Sequence, residues 1–370
     1  VMQYAPSMDL EVGPLGKQAF DFDLRLKNVE AVTALWAPKL LLPEGASMNG
    51  HFSTANNIAN INLLVPKLSH DAIVVDRLII DESTHSGALR LFLTADRISI
   101  SDSLYINNVN LSHTLANDSL YTNLKLADVT AGNQLDFNGL VSFEKDRPIK
   151  MRVLPSTLVL NHEFWQLDEK ALFYLDNGKL EVQGLNISNN RQVARLEGLI
   201  SNSADDKALL TFQNFNLAAF NSATSPSGVE LSGVLNGHME VSSVLKNPYL
   251  LADITASDVY VNRTEIGDML LQADFDRVRE LVNVKLETTR GETTTLMATG
   301  TYDATVETDQ LAIDASLHET ELILFQPFLT KLVSNISGTV SADINIAGSM
   351  SEPRINGTCY LHNAGFTVNY

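Results

Sequence analysis

The chain has a single cysteine, Cys359, among its 370 residues, so it can form no internal disulfide bond. One cysteine neither proves nor excludes an oxidising compartment. Apolar runs are short, and none approaches the ~20 residues that a helix needs to span a bilayer. No signal peptide is visible in the first residues, and both ends are interpreted as cut. The sequence is therefore interpreted as a soluble piece of a larger protein.

Basic residues are also scarce. The chain has 26 Lys and Arg against 44 Asp and Glu, which gives a formal net charge of −18. It contains no dense basic run of the kind that nucleic acids and anionic membrane surfaces attract. The composition therefore argues against a nucleic-acid partner, while simple solubility is a sufficient reason for the acidic balance.

The sequence lacks the motifs that carry catalytic or metal chemistry. None of the 8 histidines lies at metal-ligand spacing from another, and neither an EF-hand loop nor a His-Glu-x-x-His motif is present. A Gly-x-Ser-x-Gly motif and a phosphate-binding glycine loop are missing as well. We therefore expect no metal, no cofactor and no enzymatic activity, although a hydrolase or lyase could assemble scattered carboxylates in space.

The sequence is rich in apolar residues that alternate with polar ones in a period of two. The apolar fraction of 45% is that of a folded protein. The alternation predicts strands with one apolar and one polar face, which suit antiparallel sheets wetted on one side. We expect the apolar side chains to line a single trough. The candidates are Phe20, Phe22, Leu24, Leu26, Leu89, Leu91, Leu93, Val282, Val284, Ile344 and Ile346.

Two stretches, 212–255 and 317–360, align without a gap at an offset of 105 residues. Gly233 falls on Gly338 and Pro248 on Pro353, and these four residues are expected in equivalent turns or strand starts. A third copy is predicted at 26–53, where Leu26 aligns with Phe212 and Asn49-Gly50-His51 aligns with residues 236–238. Repetition of one β-rich unit is typical of an elongated array that works through its shape.

Helical pattern is limited to short segments. Apolar residues in 321–333 have helix-like spacing, although Pro327 should limit or kink that helix. The segment 29–36 is its predicted equivalent in the first copy, whereas a Ser/Pro/Gly loop after Phe220 indicates a degenerate helix in the second. The predicted fold is therefore all-β: an elongated, curved, taco-like antiparallel groove with one or two short helices. Residues 1–370 would form one repeat body, with candidate units near 20–150, 155–262 and 263–370.

The segment 338–366 has a further specific pattern. It reads as an alternating strand from Gly338 to Gly348, then Pro353 five residues later, and then a second alternating strand. This pattern resembles the repeats of the AsmA-like superfamily, and within it the TamB-like translocation and assembly module family. The stretch 165–220 resembles the Bacteroidetes-type members. The resemblance is good over about residues 155–370 and thin over 1–150.

The resemblance implies a large envelope protein of Gram-negative bacteria, of which this chain is an internal fragment. Such a protein is anchored in the inner membrane by an N-terminal helix and crosses the periplasm toward an Omp85-type outer-membrane barrel. The implied ligand is a phospholipid or other acyl-chain lipid that moves along a hydrophobic groove. The implied role is lipid transport between the two membranes, outer-membrane protein assembly, or both.

Two other architectures remain open at this point. A compact β-sandwich acting as a scaffold or adhesion module would close its apolar faces against each other. A carbohydrate-active β-helix enzyme would show a coil repeat of roughly 20–25 residues and clustered carboxylates, and the sequence shows neither.

Overall fold

The computed structural model describes most of the chain in two compact units, 1–177 and 178–370. The described residues are 3–8, 16–27, 39–42, 44–71, 73–85, 87–100, 105–128, 132–225, 228–244, 249–276, 279, 281–303, 305–306, 308–329, 332–349 and 352–369.

The first unit is an antiparallel sheet whose strands follow one another along the chain. Its described strands are β1 (Ala19–Arg25), β2 (Leu40–Leu41), β3 (Ser47–Ser53), β4 (Ile58–His70), β5 (Ile73–His85), β6 (Ala88–Ser99), β7 (Tyr105–Ala116), β8 (Ser119–Asp128), β9 (Asn133–Ser142), β10 (Ile149–Leu160), β11 (Glu163–Leu167) and β12 (Leu172–Asp176). From β3 to β10 each strand pairs with the next, while β1 pairs with β3 and β2 with β4. Both short strands, β11 and β12, pair with β10.

The second unit is built in the same way. Its described strands are β13 (Lys179–Asn189), β14 (Gln192–Ile200), β15 (Lys207–Asn216), β16 (Leu231–Ser242), β17 (Tyr249–Val261), β18 (Thr264–Asp276), β19 (Leu281–Arg290), β20 (Thr293–Tyr302), β21 (Leu311–Glu321), β22 (Val333–Gly348) and β23 (Pro353–Val368). Each strand pairs antiparallel with the next one in the chain.

Several tight turns explain why consecutive strands pair. Asn117 and Asp118 join β7 to β8, and Asn262 and Arg263 join β17 to β18; all four residues have positive φ. A two-residue hairpin turn with positive φ at both positions has the twist of the flanking strands, and Asn and Asp tolerate that conformation. The sequence therefore directs each strand onto its neighbour.

Two helical turns of the same length interrupt the second unit. The 3₁₀ turn Leu217–Phe220 leads into α1 (Asn221–Thr224), and the 3₁₀ turn Leu322–Phe325 leads into α2 (Gln326–Leu329). The two elements lie 105 residues apart, so the second-copy helix is not degenerate as the sequence suggested. The carboxamide of Asn216 accepts a hydrogen bond from the N–H of Ala218 and starts the first turn before the Ser/Pro/Gly loop begins. The predicted equivalent at 29–36 lies outside the described residues.

The predicted offset is reproduced in the backbone irregularities. Asn214 and Glu319 both have positive φ, 48° and 46°, and each lies where its strand shifts register against the next. The N–H of Asn214 donates to the side chain of Asn236, and the N–H of Glu319 donates to the side chain of Ser341 at the equivalent position. Repeated bulges at matching positions show that the two stretches share a backbone plan.

Gly233 and Gly338 have equivalent roles, but the expectation that they lie in turns is wrong. They lie inside β16 and β22, at register shifts, with φ of 134° and 94°. A β-bulge needs a residue that tolerates positive φ, and glycine does so without steric cost. Pro353 is the first residue of β23, where its missing N–H is tolerated. Pro248 lies outside the described residues.

The third copy is reproduced only in part. Gly50 of β3 faces Phe22 of β1, as Gly237 faces Phe212 in the second unit. Phe22, and not Leu26, is therefore the counterpart of Phe212. Leu26 lies one residue beyond β1, and its N–H donates to the carbonyl of Ala46 at 2.8 Å. Sequence alignment across such divergent strands misplaced the first copy by four residues because only the pairing fixes the register.

The prediction of an all-β antiparallel fold with short helical segments is confirmed in both units. The three repeat units proposed near 20–150, 155–262 and 263–370 stay a prediction.

A Cβ atom at either bulge glycine would meet the backbone of the next strand. It would lie 2.9 Å from the carbonyl oxygen of Ser257 at position 233, and 2.6 Å from that of Asn363 at position 338. We expect Gly233→Ala and Gly338→Ala each to lower the free energy of unfolding by about 1–3 kcal/mol, since positive φ strains alanine as well. Urea denaturation measures the change.

Gly16→Ala serves as the control, because nothing lies within 4 Å of the added methyl group. Equal stability of the bulge variants and this control would refute the structural role assigned to the two glycines.

Candidate functional site

In an antiparallel sheet, directly opposed residues on neighbouring strands project to the same face. The strand pairings therefore connect side chains into rows that run across the strands. In the first unit one such row, here called the leucine row, is almost wholly aliphatic. It consists of Leu24, Met48, Leu63, Ile80, Leu93, Leu111, Leu124 and Phe137.

A second apolar row lies two rows away on the same face. This Leu89 row contains one threonine and otherwise apolar residues. It consists of Thr84, Leu89, Leu115, Leu120, Val141, Met151 and Phe173. The register therefore brings Leu24, Leu89 and Leu93 of the predicted set to one face. Phe20 and Phe22 join them by alternation along β1, and their rings lie 6.1 Å apart.

The opposite face of the first unit is polar. One row on this face includes Asp81. Each of its residues is the sequence neighbour of a residue in the leucine row, and only one of its side chains is large and apolar. It consists of Asp23, Asn49, Asn62, Asp81, Phe92, Ser112, Asn123 and Asn138. The sheet of the first unit thus separates an apolar face from a polar one.

The second unit has an apolar face without a single polar side chain in its two central rows. One row consists of Leu185, Leu196, Leu210, Met239, Ala252, Ala273, Val284, Gly300, Ile313, Ile346 and Ile355. The next consists of Ile187, Ala194, Phe212, Gly237, Ile254, Leu271, Leu286, Ala298, Ala315, Ile344 and Gly357. Val284, Ile344 and Ile346 of the predicted set therefore share this face, as does Val282 by alternation along β19.

The opposite face of the second unit is polar. Its central row contains amide, hydroxyl, imidazole and charged side chains. It consists of Asn186, Arg195, Thr211, His238, Asp253, Gln272, Lys285, Thr299, Asp314, Asn345 and Asn356. Within it the amide of Asn345 donates to the carboxylate of Asp314 at 3.0 Å.

In both apolar faces the side chains pack against their neighbours in the same sheet, but the faces are incompletely covered. Phe212 and Ile254 of the second unit are buried, with 8% and 5% of their surface exposed, but most side chains of the apolar rows stay partly exposed. Leu91, Ile344 and Ile346 are half-buried, and Phe20 is 51% exposed. The closed core of a β-sandwich would bury its leucines, isoleucines and aromatic rings. Each unit instead presents a broad apolar surface that a ligand can reach.

Small segments cover the edges of these faces. In the second unit the ring of Phe220, on the helical turn, lies 5.4 Å from the ring of Phe215 and 6.4 Å from that of Phe212. In the first unit Tyr4 and Ala5, 5% and 0% exposed, pack on Leu115 of the Leu89 row. The N-terminal segment is anchored at Asp118, which accepts a bond from the N–H of Ser7 at 2.6 Å.

One row of the first unit breaks the apolar pattern. Between the leucine row and the Leu89 row, pairing places Glu82, Leu91, His113 and Thr122 side by side in that order. We call Glu82, His113 and Thr122 the polar row. The Nδ1 atom of His113 lies 2.9 Å from the hydroxyl oxygen of Thr122. Burial lowers the pKa of His113 below its ordinary value of 6.5, so the imidazole is neutral at pH 7.

Nowhere in the described ranges do three or more His, Cys, Asp or Glu side chains gather as metal ligands would. The helices in the described part of the chain are too short and too polar to cross a bilayer.

Comparison with known proteins identifies a family. The family model described as TamB, N-terminal domain matches residues 82–361, which is more than half of the chain. The match begins in β5, well before residue 155, where the sequence resemblance became good. No curated protein and no solved structure matches the chain.

The half-buried imidazole makes a testable contribution to stability. Since burial lowers the pKa of His113 in the folded state, the unfolded chain binds a proton more readily. Stability is therefore lost as the pH falls below about 6.5, the unfolded value. We expect the melting temperature of the wild type to fall more steeply between pH 7 and pH 5 than that of His113→Gln.

Parallel curves for the wild type and His113→Gln would contradict the assigned burial of the ring.

Proposed function

This chain belongs to the TamB family, and we propose that its two apolar sheet faces bind and conduct the acyl chains of lipids. The family is one of envelope transport and assembly. In the proposal, the protein works in the periplasm of a Gram-negative cell and carries phospholipid between the inner and outer membranes. Anchoring in the inner membrane and docking on an Omp85-type barrel belong to the same proposal.

The observation that carries the proposal is the unbroken apolar surface of the second unit. Its two central rows cross eleven strands, β13 to β23, without a polar side chain. A surface built for a peptide or a sugar would include groups that fix their polar atoms. An acyl chain has no polar atoms, and a continuous apolar surface is sufficient to hold it.

The energy of lipid transfer explains why such a surface helps. Exposing a methylene group to water costs about 0.8 kcal/mol, so a chain of ~16 carbons faces a barrier of roughly 13 kcal/mol. Contact with an apolar face removes most of that cost at every position along the path. Because dispersion contacts are non-directional, the lipid can slide from one set of side chains to the next. On the second unit, whose central rows offer no polar side chain, the headgroup stays in water beyond the edge of the sheet.

A role in outer-membrane protein assembly is compatible with the family and uses the same surfaces. Nascent outer-membrane strands alternate apolar and polar residues, and an apolar face could shield one side of them. The scaffold or adhesion alternative is disfavoured because both apolar faces are left half-exposed. A protein without an apolar ligand would leave such a surface open to aggregation.

The two faces of β22 allow a matched test. Ile344 lies on the apolar face and Asn345, the next residue, lies on the polar face. A photo-crosslinking residue at position 344 should capture lipid in cells, whereas one at 345 should not. Mass spectrometry of the captured adducts measures the difference. Equal capture from both faces, or no capture from either, would refute lipid conduction and favour the scaffold.

A charge on the apolar face should block conduction. Ile344→Glu and Leu93→Arg each place an ion where an acyl chain would lie, and desolvating that ion costs several kcal/mol. We expect either variant to lower lipid occupancy of the purified protein at least tenfold, measured as lipid phosphorus per protein. Asn345→Asp on the polar face is the control and should retain the lipid. Undiminished lipid in Ile344→Glu would place the lipid elsewhere.

A further inference from the structure

The polar row of the first unit stands out against the apolar face of the second. The two central rows of the second unit contain no side chain that can ionise or form a hydrogen bond. In the first unit, pairing places Glu82 and His113 on either side of Leu91, with Thr122 beyond His113. The leucine row and the Leu89 row flank these residues on both sides. An isolated polar row on an apolar face needs a reason, because polar groups there are costly unless they are paired.

The carboxylate of Glu82 is the group most in need of a partner. Glu82 as a residue is half-buried, and among the described residues no hydrogen bond or ion pair reaches its carboxylate. The bases nearest in sequence, Arg77 and Arg90, do not meet it: Arg77 pairs with Asp96 at 2.7 Å, and Arg90 opposes Ser83 on the polar face. A half-buried carboxylate without a cation gains most from a ligand that brings one.

His113 supplies a second, neutral contact. Its Nδ1 is engaged by the hydroxyl of Thr122, which leaves Nε2 directed away from that bond. When Thr122 donates its hydroxyl proton to Nδ1, the Nε2–H becomes a donor for an acceptor oxygen. Two strand spacings separate Glu82 from His113, on the order of 10 Å between Cα atoms. An ammonium at Glu82 and an oxyanion near His113 can therefore belong to one small headgroup.

We propose that Glu82, His113 and Thr122 form a headgroup site that selects ammonium-bearing phospholipids over anionic ones. The inference rests on the proposed lipid-binding function and names the lipid that the first unit prefers. Glu82 binds the ammonium group, while the imidazole and hydroxyl contact the phosphate or ester oxygens. The acyl chains lie on the leucine row and the Leu89 row. An anionic headgroup without an ammonium would bring its phosphate to Glu82 uncompensated, and like charges repel.

The experiment compares headgroups at two positions of the full chain. A photo-crosslinking residue replaces Leu93 in the leucine row, which leaves the polar row intact, or Ile344 in the second unit. Each purified protein is mixed with vesicles of equimolar phosphatidylethanolamine and phosphatidylglycerol that have identical acyl chains. After irradiation, mass spectrometry gives the ratio of the two captured lipids. Position 93 should favour the ethanolamine lipid about tenfold, a typical worth of one charge-assisted hydrogen bond. Position 344 should show no preference.

Glu82→Gln tests the carboxylate with almost no change of shape. It should reduce the preference at position 93 to near one while total lipid capture at positions 93 and 344 persists, which also shows that the variant is folded. Asp81→Asn is the matched control: Asp81 is the adjacent residue, it opposes Phe92 on the polar face, and its loss should leave the preference unchanged.

The possible failures are distinguishable. Capture at both positions without a headgroup preference, or a preference that survives Glu82→Gln, would overturn the headgroup site and leave lipid conduction standing. No lipid at either position would overturn conduction and the headgroup site together. Capture at position 93 of a lysine-containing apolar peptide, with neither phospholipid competing, would replace the lipid ligand with an unfolded protein segment and so refute the inference.

Discussion

A slip of one residue in any strand pairing would turn that strand's apolar side chains to the polar face and its polar side chains to the apolar face. The phase of alternation must therefore agree across every neighbouring pair in a unit. In the second unit this agreement extends through ten consecutive pairings, from β13 to β23. Each unit keeps its two-faced character only because no single strand loses its phase.

Bulges are the devices that keep this phase where strands bend. Asn214, Glu319, Gly233 and Gly338 adopt positive φ at register shifts and absorb an extra residue locally. A bulge also increases the local twist and bends its strand. The same irregularities recur 105 residues apart, so the backbone plan was preserved while most side chains changed.

The apolar faces of this architecture are incompletely covered, and this limits the apolar area that folding buries. A sheet face that packs only sideways buries less apolar area than a closed core, and each unit leaves most of its leucines and isoleucines half-exposed. Short segments recover part of that area at the edges: residues 3–8 on the Leu89 row, and Phe220 over Phe212 and Phe215. Elsewhere on the faces most large apolar side chains stay partly exposed. The polar row beside Leu91 is the exception within the first face. The two central rows of the second unit contain no such polar side chains.

The sequence by itself determined the all-β class, the two-faced strands, the 105-residue repeat and the family, because each depends on local features: alternation with period two, turn residues and motif spacing. Leu91, Ile344 and Asn345 could be assigned to faces from their own strands alone. Only the tertiary structure decided which residues meet across strands. It placed Glu82 of β5 and His113 of β7 on either side of Leu91, and it set Gly50 against Phe22. It also put Gly233 and Gly338 in bulges and not in turns, and packed Tyr4 on Leu115. These contacts depend on hydrogen-bond register between strands far apart in sequence, and a one-residue change in register alters all of them while leaving the local pattern the same.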